Sequence, residues 1–256
     1  MTSLHKKALR EPRFIFVGGA HKSGTTLVRD ALSQHPLVTA LTNTGVENEE
    51  GQHLQDLMPS DWYLGELLFG LSDGAYLDEG DVPNAKEYGR RLFDRWAPHW
   101  NTEAHYFLEK SPPNIVRSRF LQACFPNSIF IAVIRDPRTT FVATRKVLSH
   151  IDIETFLQHW SAIYSTWFAD CRYINTSLTI QYEKMVSSAE DGINGLYKAC
   201  KLPQLSSERS SIVIKEPDIL YRGKWNELIA PGVSCKLHLP DWALAYGYDT
   251  TAYGNA

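Results

Sequence analysis

The chain has 256 residues, with 26 Lys and Arg against 29 Asp and Glu and a formal net charge of −3. At 43% hydrophobic and 12% aromatic it is neither disordered nor low in complexity, and it is long enough to bury a core without covalent staples. Its four cysteines, Cys124, Cys171, Cys200 and Cys235, are too few and too scattered for a disulfide scaffold or a zinc ribbon, and the mild negative charge argues against a broad nucleic-acid surface.

The N-terminal residues 1–13 include basic side chains but no apolar run of the secretory kind. No segment approaches the roughly 18 apolar residues of a membrane span. These features predict a cytoplasmic protein with reduced thiols and no membrane partner. The sequon Asn175-Thr176-Ser177 is short enough to arise by chance and is discounted.

Phe14–Val17 is wholly apolar and rich in β-formers, which predicts a strand covered on both faces. It runs into Gly18-Gly19-Ala20-His21-Lys22-Ser23-Gly24-Thr25-Thr26. Leu27, Val28, Ala31 and Leu32 then recur at helical spacing until His35-Pro36 ends the helix. Further on, helices are predicted over 113–125, 139–148, 153–173 and 189–202, and strands over 128–134 and 177–181. Strands alternating with helices predict an α/β fold with a central parallel sheet flanked by helices, in a single domain spanning 1–256. Residues 41–106, rich in Gly, Asp, Glu and Trp, show no sheet strand and are predicted as a mainly helical and loop insertion over the sheet edge. Residues 203–256 read as a mixed, proline-punctuated tail.

A glycine-rich turn between a buried strand and a helix N-terminus is an anion site, because free backbone N–H groups and the helix dipole point at the ligand. Gly19 and Gly24 have Walker A spacing, but Thr25 stands where the Walker lysine should follow the second glycine. The lysine is Lys22, on the loop itself.

His21-Lys22-Ser23-Gly24-Thr25-Thr26-Leu27, followed by a helix and His35-Pro36, resembles the 5′-phosphosulfate loop of sulfotransferases. Lys110-Ser111-Pro112, Phe125-Pro126-Asn127 before a strand, Arg135-Asp136-Pro137-Arg138 after it, and Tyr182-Glu183-Lys184 are similar to further motifs of that family in the same order. Val213-Ile214-Lys215 and Lys224-Trp225 resemble the tail of the tyrosylprotein sulfotransferases. Each motif alone is weak, and the ordered set is specific.

The resemblance implies a P-loop-NTPase-like sulfotransferase fold and the donor 3′-phosphoadenylyl sulfate (PAPS, product PAP), with no metal. Lys22 is then expected to neutralise the 5′-phosphate and the moving sulfuryl group, with Ser23, Gly24, Thr25 and Thr26 supplying N–H groups and hydroxyls. Lys110 matches a lysine that stabilises the transition state; its bland alternative is a surface ion pair with Glu109. Arg135 matches the arginine of the 3′-phosphate site, but the family's partner serine falls on Ala143, leaving Thr144 as the substitute. Arg145 lies just beyond. Tyr182 is expected against the adenine, with a buried strand-end tyrosine as its alternative. Ser210, Ser211 and Lys224 match cofactor-contacting tail positions. Arg138 is expected to tether its loop, for instance to Asp136.

A hydroxyl acceptor needs a base within hydrogen-bond reach. The family's glutamate position counts to Asn43, which cannot serve, so the carboxylates just downstream are taken in the order Glu50, Glu49, Glu47, with His53 last. Lys22, Lys110, Arg135, Arg145 and Lys224 are expected to converge on one cleft, where local charge outweighs the net charge. The sequence does not name the acceptor: the tail resemblance points to a phenol or a peptide tyrosine, and a carbohydrate, a lipid or another metabolite hydroxyl stays open. Trp62, Tyr63, Phe69, Trp96 and Trp100 are pocket candidates that are more often core. Two alternatives stay open: a small-molecule P-loop kinase using ATP and Mg²⁺, and a nucleotide-binding module without turnover.

Overall fold

The computed structural model describes residues 13–204, 218–229 and 239–252. Among these residues five strands form one wholly parallel sheet: β1 (Arg13–Gly19), β2 (Val38–Ala40), β3 (Tyr106–Lys110), β4 (Ser128–Ile134) and β5 (Ser177–Gln181). Their order is β2-β3-β1-β4-β5. The helices are α1 (Thr25–Ser33), α2 (Ala85–Trp96), α3 (Ser118–Cys124), α4 (Pro137–Arg145), α5 (Ile153–Asp170), α6 (Tyr182–Ser187), α7 (Ala189–Ala199), α8 (Asp218–Leu228) and α9 (Asp241–Ala245).

Alternate residues of β1 feed two cores on opposite faces of the sheet. Phe14 and Phe16 join Trp96, Trp100, Phe107, Phe125 and Trp160 on one face. Ile15 and Val17 join Val28, Leu108, Ile131 and Tyr197 on the other. Both faces are covered, so β1 and β4 carry no polar alternation. Phe14 lies at the centre of an aromatic cluster, 4.3 Å from Phe125 and 5.5 Å from Phe107 between ring centroids. Truncating such a ring to alanine typically costs about 3–5 kcal/mol.

The strands expected at 14–17, 128–134 and 177–181 are present. Two strands were not expected. β2 has only three residues, too few to show a period, and β3 ends in Glu109-Lys110, charged residues that read as a loop. The helix expected over 113–125 is divided: a 3₁₀ stretch, Pro112–Val116, precedes α3, because the two prolines at its start and the extended-like φ of −132° at Arg117 interrupt regular helical bonding. Residues 41–106 hold short 3₁₀ turns and α2, and otherwise run without sheet structure until β3 begins at Tyr106.

After β1 the chain crosses to β2 on one side, while β4 lies on the other side of β1. A crevice therefore opens at the carboxyl ends of β1, β3 and β4, the place where open α/β sheets bind ligands. Among the described residues no helix is long and apolar enough to cross a membrane.

Candidate active site

The turn between β1 and α1 is held from below. Tyr164 of α5 accepts from the Ala20 amide at 3.1 Å and donates to the Val133 carbonyl at 2.6 Å, tying the loop to β4. Gly24 adopts φ 103°, a conformation that disfavours side chains, and its missing Cβ leaves room for the Tyr182 ring, which would stand 2.5 Å away. Gly24 is the N-cap of α1, and among the described residues no side chain caps the first turn. The free amides there, with the helix dipole, form an anion-attracting end. Thr25 is buried in the first turn, and Thr26 is exposed. Ser23 is buried. Lys22 is exposed and left-handed at φ 65°, which turns its carbonyl toward Arg135 Nη1 at 2.8 Å.

A cleft of about 300 Å³ lies over this loop, lined by Lys22, Gly24, Thr26, Glu50, Lys110, Arg135 and Tyr182 among others. Arg135 leaves the end of β4, 94% buried, with its guanidinium 4.2 Å from the Tyr182 ring centroid. Its Nη2 is engaged by the Asp218 carboxylate from the start of α8. Tyr182 is buried against Gly24 and Arg135, and burial in this setting pushes its phenol up from the ordinary value. Arg138 does tether its loop, donating to Asp136 and to Asp249.

Lys110 is not the surface partner of Glu109. Strand alternation sends the two in different directions, and both are buried. Lys110 Nζ lies 2.5 Å from Glu50 Oε1. Glu109 accepts from the Gly51 amide at 2.9 Å, Ser111 Oγ at 2.6 Å and Asn114 Nδ2 at 2.5 Å. Burial pushes its carboxyl up, while these donors work in the opposite direction. Glu109 thereby pins Gly51 and sets the position of its neighbour Glu50.

The four base candidates separate cleanly. Glu47 is exposed. Glu49 folds back on its own loop, accepting from the Thr44 amide at 2.9 Å, which holds its carboxyl below the usual range. Glu50 is buried in the cleft on Lys110. His53 lies 3.9 Å from Glu50 Oε2 and 3.6 Å from Asp61 Oδ1. Asn48 and Glu49, at φ 53° and 55°, take left-handed backbone just before Glu50, a local strain of about 1–3 kcal/mol each.

Sequence reasoning missed Asp61, Gln52 and His21. Gln52 Nε2 bridges Glu50 Oε2 at 2.6 Å and Asp61 Oδ2 at 2.8 Å, and its Oε1 accepts from the Asp61 amide at 2.9 Å. His21 Nε2 is 3.1 Å from Asp61 Oδ2. Burial works to raise the Asp61 carboxyl, but His21, Gln52 and His53 together hold it below the ordinary value. Only His21, inside the glycine-rich loop, carried a sequence signal.

Of five cations expected in one cleft, Lys22, Lys110 and Arg135 line it. Arg145 and Lys224 line a separate surface cleft with Lys146 and Ser149, and Arg145 is turned to the Ser149 carbonyl. Thr144 is buried and its hydroxyl donates to the Thr140 carbonyl at 2.8 Å, within its own helix. Ser210, Ser211 and Val213-Ile214-Lys215 lie outside the described residues. Phe69, Trp96 and Trp100 are core, whereas Trp62 and Tyr63 are exposed beside His53 on a second cleft of about 500 Å³.

A parallel α/β sheet with a Walker-A-like loop that lacks the Walker lysine, and with cations at the ends of β3 and β4, defines a restricted class of proteins. Residues 12–206 match the model of the sulfotransferase family, and the chain belongs to that family. It is 27% identical over 197 residues to protein-tyrosine sulfotransferase 2 of Gallus gallus, covering 74% of this chain and 51% of that protein. It is 26% identical over 202 residues to protein-tyrosine sulfotransferase A of Caenorhabditis elegans, covering 76% and 51%. The chain thus spans about half the length of these curated relatives. Among solved structures, the sulfotransferase domain of the Synechococcus PCC 7002 olefin synthase is similar at TM-score 0.55 and 15% identity, over 94% of this chain and 96% of that one. The sulfotransferase domain from the curacin biosynthetic pathway is similar at TM-score 0.51 and 18% identity, over 94% and 99%. These two likenesses show the fold.

Proposed function

We propose that this chain transfers a sulfuryl group from 3′-phosphoadenylyl sulfate to an acceptor hydroxyl, releasing adenosine 3′,5′-bisphosphate and a sulfate ester. The observation that carries the reading is the buried Lys110–Glu50 pair in the same cleft as Lys22 and Arg135. The donor supplies an electrophilic sulfuryl group on a phosphate leaving group. The cleft suits it: an uncapped helix end and exposed Lys22 on one side, and Arg135 with Tyr182 on the other.

In-line transfer needs charge stabilisation and positioning more than covalent chemistry. The amides of Gly24, Thr25 and Thr26, the Ser23 and Thr26 hydroxyls and Lys22 hold the 5′-phosphate. Lys22 and Lys110 oppose the charge that builds on the bridging oxygen. Arg135 takes the 3′-phosphate and Tyr182 packs on the adenine. Glu50 takes the acceptor proton, with its carboxylate aimed by Lys110, Gln52 and the Gly51–Glu109 contact.

Residues 41–106 form the acceptor side of a single domain. Trp62 and Tyr63 offer an aromatic surface suited to a phenol, a tyrosine side chain or the apolar face of a sugar. The reading is tested by incubating the purified chain with sulfur-labelled donor and panels of phenols, tyrosine peptides and sugars, alongside binding of adenosine 3′,5′-bisphosphate. Nucleotide binding with label transfer to one panel is the expected result. ATP turnover with phosphoryl transfer, or nucleotide binding without transfer to any acceptor, would overturn it in favour of a kinase or a binding module.

A further inference from the structure

Glu50, His53 and Asp61 converge with one ligand-type atom each, all within 4.8 Å of one another. The separations are 3.9 Å from His53 Nε2 to Glu50 Oε2 and 3.6 Å from His53 Nε2 to Asp61 Oδ1. His21 Nε2 adds a second imidazole nitrogen, 3.1 Å from Asp61 Oδ2. These atoms come from the loop after β1 and from two consecutive short turns, Gly51–His53 with the preceding Glu50, and Asp61–Tyr63. Burial is deep, with the side chains of Glu50, His53 and Asp61 at 4%, 3% and 5% exposure.

The hydrogen bonding inside this cluster is incomplete. Among the described residues Asp61 Oδ1 is buried without a hydrogen-bond partner, and so is the other ring nitrogen of His53, Nδ1, while His21 Nε2 is engaged by Asp61 Oδ2 at 3.1 Å. Buried polar atoms are paired in the great majority of cases, and an orphan calls for an explanation such as a bound ion. Hydrogen-bonded groups would sit about 2.7–3.2 Å apart. Two ligands bound at about 2.0–2.2 Å to a tetrahedral centre sit about 3.4 Å apart. The His53 separations of 3.6 and 3.9 Å exceed the first range and lie nearer the second, whereas the His21–Asp61 separation of 3.1 Å falls in the first.

Charge and support agree with this. Two carboxylates face one another across the cluster, and Lys110 answers only the far oxygen of Glu50. Arg117 acts on Asp61 electrostatically but donates its own Nε to the Ala75 carbonyl. Gln52 holds one oxygen of each carboxylate, and the His53 ring is stacked on Trp62 at 4.1 Å. Outer contacts of this kind orient metal ligands.

We propose that Glu50, His53 and Asp61, with His21 beside them, bind one divalent transition-metal ion of the kind that takes imidazole and carboxylate together, such as Zn²⁺, Co²⁺ or Mn²⁺. The site shares Glu50 with the reaction proposed above, but its test reads metal binding and not turnover. It borders that chemistry, because a cation on Glu50 Oε2 draws electron density from the carboxylate that faces Lys110.

The test uses the purified full chain, stripped with chelator and titrated with Co²⁺ and Zn²⁺ by calorimetry, with the visible Co²⁺ spectrum recorded. One equivalent should bind, with ligand-field bands of a nitrogen- and oxygen-ligated ion, and Zn²⁺ should raise the melting temperature. His53→Ala and Asp61→Asn should each weaken binding tenfold or more. Should Asp61→Asn fail to fold by circular dichroism, His53→Ala and the wild-type spectrum decide. No saturable binding, or binding unchanged in His53→Ala, would overturn the proposal.

Discussion

Lys110 Nζ sits 2.5 Å from Glu50 Oε1, and both side chains are almost wholly withdrawn from water. Sixty positions separate them in sequence. Removing one member of such a pair leaves an uncompensated buried charge, which typically costs about 3–5 kcal/mol. Glu50→Gln keeps the shape and removes the base, so kcat should fall about 10²–10⁴-fold with little change in binding of adenosine 3′,5′-bisphosphate, and the melting temperature should fall too because Lys110 is left buried without its partner. Lys110→Ala should lower both kcat and the melting temperature. Steady-state kinetics with calorimetric nucleotide binding separates the two effects; a Glu50→Gln enzyme with wild-type kcat would remove Glu50 from the mechanism.

Lys22 is exposed at the rim of the phosphate loop and contributes little to packing. Lys22→Ala should therefore leave the melting temperature near wild type while reducing kcat/KM by 10²-fold or more, the scale of one charge-stabilising donor. Sulfuryl transfer surviving that change nearly intact would show that the loop holds the donor in another way.

Asp218 occupies one arm of Arg135, the group assigned to the 3′-phosphate. A ligand phosphate must displace or share that carboxylate. Asp218→Asn should accordingly tighten adenosine 3′,5′-bisphosphate about three- to tenfold, equivalent to about 1 kcal/mol of released competition, and Arg135→Ala should abolish the difference. Equal affinity in Asp218→Asn and wild type would mean that the phosphate and Asp218 do not compete.

His159 on α5 is fully buried, accepts from the Gly70 amide at 3.1 Å and lies against Phe69 and Phe156. Burial, aided by the charge of His21, lowers it from 6.5 to about 3. The unfolded chain thus binds a proton there below pH 6.5 that the folded chain refuses until about pH 3. Stability must fall as pH drops through that window, by up to about 1.4 kcal/mol per unit. Urea unfolding between pH 4 and 7 should display this slope, and His159→Gln should flatten it. An identical slope in the variant would assign the acid sensitivity to other groups.

Much of the sheet was legible because buried parallel strands are wholly apolar and stand out between helices. β3 was not, since its last two residues are Glu109 and Lys110, whose burial depends on partners 58 and 60 residues away. The loop residues Lys22, Ser23, Gly24, Thr25 and Thr26 were legible because glycine spacing and a helix start are local features. Asp61 and Gln52 carry no local signal at all; they become part of the site only where the chain folds back on the loop after β1.

The sequence by itself determined the α/β class, the anion-attracting loop and the family, because each rests on neighbouring residues and their order. Tertiary structure alone decided which acid faces Lys110. The order Glu50, Glu49, Glu47 has no contact behind it in the sequence, and the Gly51–Glu109 bond with the left-handed turn at Asn48 and Glu49 sends just Glu50 inward. It also decided which cations share a cleft, since Arg145 and Lys224 lie on the face where α4 meets α8, away from Lys22, Lys110 and Arg135. Distance in space between groups far apart in the chain follows from packing, and packing is where the charge of −3 gives way to a locally cationic cleft.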